Sequence, residues 1–323
     1  MSSEGQKKGI AAALSSALFL GVVPIFGKMA INSGFSPFTV IALRTTIAAL
    51  LMLGVMYFKM RPFFYIYPVG LIGCALAGLI NGLGSVLYYS ALGRLDASLG
   101  HMLYSLYPLF VAFWLVVDRQ PITRLTIVRV LLALPAVFLL IDPGRRSVDM
   151  IGAGMMVGSA ALYALHLLIN QRILFEVPAP TVTLYTLLAM AFTVVVAFLI
   201  TNLVQPASAV IPPLAVNWWP VLAMAVITFS SRLTLFTGVK HLGGLQTALL
   251  GLAEIFVTVL MAQWLLGENL SLTQWLGAGL LMATLVLIGF DRKTQQKRNS
   301  SGLLAWLNPP KVSPNDLPWS SHP

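Results

Sequence analysis

Glu254 is an acid set among apolar neighbours, in the run Ala253-Glu254-Ile255-Phe256. Thr247, Gly251, Glu254 and Thr258 recur at steps of four, three and four, which places them on one face of a helix. A carboxylate on such a face can hold a cationic group or a coupling proton. Its structural alternative is an ion pair or a helix-helix hydrogen bond. Arg232 shares a face with Thr228 and Leu235, and can pair with Glu254 or bind a substrate carboxylate. Arg44 is equally embedded, beside a pathway or snorkelling toward the surface. Lys28 reads as an anchor near a helix end.

Polar stripes accompany these charges. Ser159, Tyr163, His166 and Asn170 again follow steps of four, three and four. Such a stripe lines either a cavity or a polar helix interface. Asn81, Ser85 and Tyr88 form a second stripe, and His101, Tyr104 and Pro108 a third. The tyrosines can stack on cations or simply pack against each other. No second histidine or carboxylate stands at ligand spacing from His166, so a metal site is not expected. Cys74 is the only cysteine, which excludes an internal disulfide. Neither a Gly-x-x-x-x-Gly-Lys-Ser/Thr loop nor a Gly-x-Ser-x-Gly elbow occurs, and no cofactor is expected.

Ten apolar stretches position these residues, at roughly 9–31, 37–57, 65–92, 97–117, 125–141, 150–170, 181–203, 218–239, 245–266 and 272–290. A bilayer core asks for about 20 apolar residues per helix. With 58% hydrophobic and 9% charged residues, the chain is expected to be an all-α integral membrane protein. The net charge of +10 belongs to loops facing the cytoplasm rather than to nucleic-acid binding. With the N-terminus in the cytoplasm, alternation places thirteen Lys and Arg on that side. Only Arg94, Arg145 and Arg146 fall opposite. Both termini are therefore expected inside. Trp218 and Trp219 sit where an aromatic belt marks the interface.

The two halves echo each other. Leu95 to Phe110 corresponds to Leu242 to Val257, with Tyr107-Pro108-Leu109-Phe110 against Glu254-Ile255-Phe256-Val257. The turn Asp118-Arg119-Gln120-Pro121 corresponds to Gly267-Glu268-Asn269-Leu270, and Ser36-Pro37 to Ala179-Pro180. Five spans per half is odd, so the second half enters from the opposite face. The expected architecture is ten transmembrane helices as two inverted five-helix repeats. Residues 1–8 form a cytoplasmic N-terminus, 9–141 the first repeat, 150–290 the second and 291–323 a polar cytoplasmic tail.

In Trp264-Leu265-Leu266-Gly267-Glu268-Asn269-Leu270 and Gln274-Trp275-Leu276-Gly277-Ala278, together with Ala253-Glu254-Ile255-Phe256, the chain resembles the drug/metabolite transporter superfamily, EamA-type branch. It departs from that pattern at Ile255, where the family has proline, and at Tyr107, where the first repeat has an acid. The resemblance implies an exporter-like carrier of a small metabolite or drug, such as an amino acid or related amphipathic compound, in a bacterial inner membrane. The expected mechanism is alternating access with proton or exchange coupling. Candidate pathway residues are Glu254, Arg232, Arg44, Asn81, Tyr88, His101, Tyr104, Tyr163, His166 and Asn170. The expected partners are a small-molecule substrate and membrane lipid. A non-transporting scaffold or receptor and an intramembrane lipid-modifying enzyme are the alternatives. A single embedded acid offers little to the latter.

Overall fold

The computed structural model describes residues 3–118, 149–174, 177–204, 217–243 and 253–287, with scattered positions at 128–139 and at 247, 250 and 251. The fifth expected span, apart from those scattered positions, lies outside the described residues. So do the loop preceding Trp218 and the tail. Among the described residues every regular element is helical. Seven segments are long and apolar enough to cross a membrane. They are α1 (Ser3–Asn32), α2 (Pro37–Lys59), α3 (Pro68–Leu92), the broken pair α4 (Ala97–Tyr104) and α5 (Tyr107–Val117), α6 (Met150–Ile173), α7 (Ala179–Val204) and α8 (Trp219–Leu242). Two shorter pieces follow, α9 (Ala253–Met261) and α10 (Leu272–Val286).

Local chemistry accounts for the helix ends. Ser36 caps α2 by accepting from the Thr39 N–H at 3.1 Å, and Pro37 then occupies a position that needs no N–H. Asp149 caps α6 by accepting from the N–H groups of Ile151 and Gly152. The α4–α5 break falls at Ser105 and Leu106. Pro108 brings no N–H to the carbonyl of Tyr104, and the Ser105 hydroxyl donates to the His101 carbonyl at 2.7 Å. A π turn, Ala262–Leu266, extends α9 and stops at Gly267, whose φ of 67° suits glycine.

The burial pattern is that of a membrane protein. Leu18, Phe58, Phe192, Leu203, Leu222 and Phe256 point outward, while Arg44, Asn81, His101, Asn170, Arg232 and Glu254 are buried. Helix contacts recur in matched pairs. α1 packs on α8 and α3 on α6, α3 packs on α7 and α2 on α8, and α1 packs on α9 while α4 and α5 pack on α6.

Specific bonds sort the helix ends. At one end Lys28 donates to the carbonyls of Leu92 and Leu95, Arg94 pairs with Asp149, and Glu268 meets the start of α4. Phe26 and Phe35 of the α1 end stack edge-on with Trp219 and Trp218 there. At the other end Arg172 pairs with Asp118, and the Thr181 hydroxyl donates to the Phe63 carbonyl. Asp118 and Asp149 thus lie at opposite ends of the bundle.

Candidate functional site

Five helices plus α9 bring polar groups to one central cavity of about 50 Å³. That is room for a few waters rather than a metabolite. α1 supplies Leu20, Val23 and Pro24. α2 supplies Arg44, and α3 supplies Asn81, Gly84, Ser85, Tyr88 and Tyr89. His101 and Tyr104 come from α4, Ser159 and Tyr163 from α6, Arg232 from α8 and Glu254 from α9.

Eight of the ten residues singled out in the sequence line this space: Glu254, Arg232, Arg44, Asn81, Tyr88, His101, Tyr104 and Tyr163. His166 and Asn170 stand behind it. The His166 Nδ1–H donates to the Ala77 carbonyl at 3.0 Å, which leaves Nε2 to accept from Arg232 Nη1 at 3.4 Å. Asn170 donates to the His166 carbonyl at 2.8 Å and accepts from the Thr186 hydroxyl at 3.2 Å. His166 thus holds Arg232, and Asn170 braces His166, behind the cavity lining.

The charges are distributed differently from a simple Glu254–Arg232 pair. Glu254, 2% exposed, has Oε1 3.8 Å from His101 Nε2. The Tyr107 hydroxyl donates to the same carboxylate. Arg44 Nη1 donates to the Thr228 hydroxyl at 3.0 Å, and its guanidinium lies 4.7 Å from the centre of the Tyr89 ring. It is 5% exposed, so it does not snorkel. The Arg232 guanidinium lies 5.7 Å from the Tyr163 ring. Among the described residues neither arginine reaches ion-pair distance of a carboxylate.

Aromatic rings connect these groups. Tyr104 stacks with His101 at 6.0 Å, meets Tyr88 edge-on at 5.0 Å and lies 5.4 Å from Tyr163. Tyr163 stacks with His166 at 5.8 Å and meets Tyr107 edge-on at 5.1 Å. Tyr89 was not singled out in the sequence, and Tyr107 entered only as the repeat counterpart of Glu254. Tyr89 stands four residues after Ser85 and eight after Asn81, so a wider stripe on α3 includes it. The break before Tyr107 turned that residue toward Glu254 and hid it from a regular helical count. Among the described residues no group of three or more His, Cys, Asp or Glu gathers to hold a metal.

The profile of the EamA-like transporter family matches residues 7–142 and again 150–290. The chain belongs to the EamA-like transporter family. It is also 23% identical over 229 residues to an uncharacterized transporter of Synechocystis sp., a match covering 68% of this chain and 66% of that relative. The chain therefore spans slightly under two thirds of that relative's length. A solved crystal structure superposes with a TM-score of 0.60 at 15% identity, over 87% of this chain and 96% of the other. That likeness concerns the fold.

Proposed function

We propose that the protein is a secondary carrier that moves a small amphipathic metabolite outward by alternating access, with proton or exchange coupling. The observation that carries this reading is the buried cavity shared by Arg44, Arg232, His101 and Glu254, drawn from both halves of the chain. A buried charge at bilayer depth costs about 2.5–3.5 kcal/mol on insertion scales. Two guanidiniums and a carboxyl group around one space serve a solute better than they serve a scaffold.

Two oppositely inserted five-helix halves are the proposed architecture. Its support is threefold. The family profile matches twice in succession, at 7–142 and 150–290. The helix contacts come in pairs related by exchanging the halves, such as α1 on α8 with α3 on α6. Asp118 and Asp149 sit at opposite ends of the bundle, as an odd number of spans before α6 would require. An odd count would insert the second half from the other face. Residues 9–141 and 150–290 would then be the repeats. Both termini would lie in the cytoplasm of a bacterial inner membrane.

In this mechanism Glu254 takes the coupling proton or a cationic group. The halves rock apart to open a space that is now large enough only for water. The test is flux in proteoliposomes under an imposed pH gradient, comparing the native protein with Glu254→Gln. Loss of the gradient's effect in the variant is expected. Unchanged pH-dependent transport removes Glu254 from the mechanism, and absence of flux for every small solute tried removes the carrier reading itself.

A further inference from the structure

Arg44 and Arg232 raise a question the coupling role of Glu254 does not answer. Both are buried, at 5% and 6% exposure, and both line the cavity. A guanidinium keeps its charge in a protein. Arg44 reaches α8 through Thr228, one helical turn before Arg232, so the two cations converge on one face of that helix. Among the described residues Nε of each finds no hydrogen-bond partner. Glu254 is occupied elsewhere, with Tyr107 and beside His101. Even with Glu254 ionised, the two guanidiniums outnumber it, and the cavity carries an excess positive charge.

We infer that Arg44 and Arg232 form an anion subsite, and that the substrate is a small organic carboxylate whose apolar or aromatic body lies among Tyr88, Tyr89, Tyr104 and Tyr163. A planar guanidinium matches a carboxylate in bidentate geometry, which an ammonium does not. The rings flank the arginines, with Tyr89 under Arg44 and Tyr163 under Arg232. His166 fixes Arg232 from behind. This inference rests on the carrier reading for its use but not for its test.

The probes are benzoate, its neutral isostere benzamide, and benzylamine, added to the purified full-length protein while its thermal unfolding is followed. Benzoate is expected to raise the unfolding temperature, and the other two to leave it unchanged. Arg44→Gln and Arg232→Gln are each expected to raise the half-saturating benzoate concentration by roughly tenfold or more. Arg94→Gln removes an exposed arginine that pairs with Asp149 and is expected to leave the benzoate response intact. Equal responses to benzoate and benzamide, a response to benzylamine alone, or an equal loss in Arg94→Gln would each overturn the subsite. The ranking of probes on the native protein decides the matter even where an arginine variant fails to fold. Benzoate binding without flux of any solute would leave the subsite standing and remove the carrier. Flux without a benzoate response would do the reverse.

Discussion

Glu268 Oε2 accepts two hydrogen bonds from Ser98, from its N–H at 2.8 Å and from its hydroxyl at 2.6 Å. Oε1 accepts a third from the Ala97 N–H at 2.7 Å. A residue of the last described turn before α10 thus closes the first turn of α4, where unpaired N–H groups and the helix dipole favour an anion. The contact joins the first half of the chain to the second at the end where Lys28 also binds the carbonyls of Leu92 and Leu95.

Removing this clamp is expected to destabilise the protein in a graded way. Glu268→Ala loses three charge-assisted bonds and costs about 2 kcal/mol. Ser98→Ala keeps both N–H bonds and costs about 1 kcal/mol. Glu268→Gln falls between them, because its amide presents donors to N–H groups that are themselves donors. Thermal unfolding in detergent gives the order. Glu268→Ala as stable as the native protein would show that the clamp contributes nothing.

Tyr107→Phe tests the support of Glu254. The phenol supplies a hydrogen bond to a carboxyl group whose Oε1 lies 3.8 Å from His101 Nε2. Deleting it leaves a buried carboxyl group without that hydrogen bond, at a cost of about 1–3 kcal/mol. The ring remains, so packing against Tyr104 and Tyr163 is preserved. Gradient-driven flux in proteoliposomes is expected to fall with the unfolding temperature. Native flux and stability together would mean that Glu254 needs no such partner.

The sequence located helices well and neighbours poorly, for physical reasons. An expected span at 37–57 became Pro37–Lys59, and one at 150–170 became Met150–Ile173, since bilayer thickness sets length and capping residues mark ends. Hydrophobic periodicity says little here, because the lipid-facing side of each helix is as apolar as its packed side. The inward faces were legible instead from polar stripes, and Asn81, Tyr88, Tyr104 and Tyr163 line the cavity accordingly. A stripe names a face but not what lies across from it. His166 and Asn170 belong to the same stripe as Tyr163 yet turn to Arg232, Ala77 and Thr186. Glu268 read as a turn residue, and its bonds to α4 depend on a contact some 170 residues distant in sequence.

Gly78 separates close packing from conformational freedom. A Cβ there would lie 2.5 Å from the Thr186 carbonyl and from the Ala189 Cβ on α7, and 2.9 Å from the Met190 backbone nitrogen. Backbone atoms cannot give way as a flexible side chain can. Gly82, one turn on, faces Thr193 in the same seam. Small residues at four-residue spacing are how helices approach closely in lipid, where there is no hydrophobic drive between them. Gly78→Val is expected to cost about 1–3 kcal/mol or to prevent folding. Gly54→Ala, at a position with open space around it, is expected to be neutral or slightly stabilising. Equal stability of the two variants, measured by thermal unfolding, would mean that α3 and α7 do not meet at this seam.

Asp149 carries two roles that substitution can separate. Its Oδ1 caps α6 through the N–H groups of Ile151 and Gly152, and its Oδ2 accepts from Arg94 at 2.8 Å. The Arg94 hydrogen bond comes first, and the α6 N–H groups second, in holding the carboxyl below its ordinary value of 3.8. A carboxylate lowered in this way contributes its stability above that ordinary value, and the contribution disappears as the pH falls through the lower, folded one. Between pH 5 and pH 8 it is therefore constant. Asp149→Asn keeps a side-chain oxygen for the cap and loses only the ion pair, which is exposed and of small worth. Asp149→Ala loses both. The expected order of unfolding temperatures at pH 7 is native, then Asn close behind, then Ala clearly lower. If Asn were as damaging as Ala, and 1 M salt lowered the native protein to the same level, the ion pair rather than the cap would hold the start of α6.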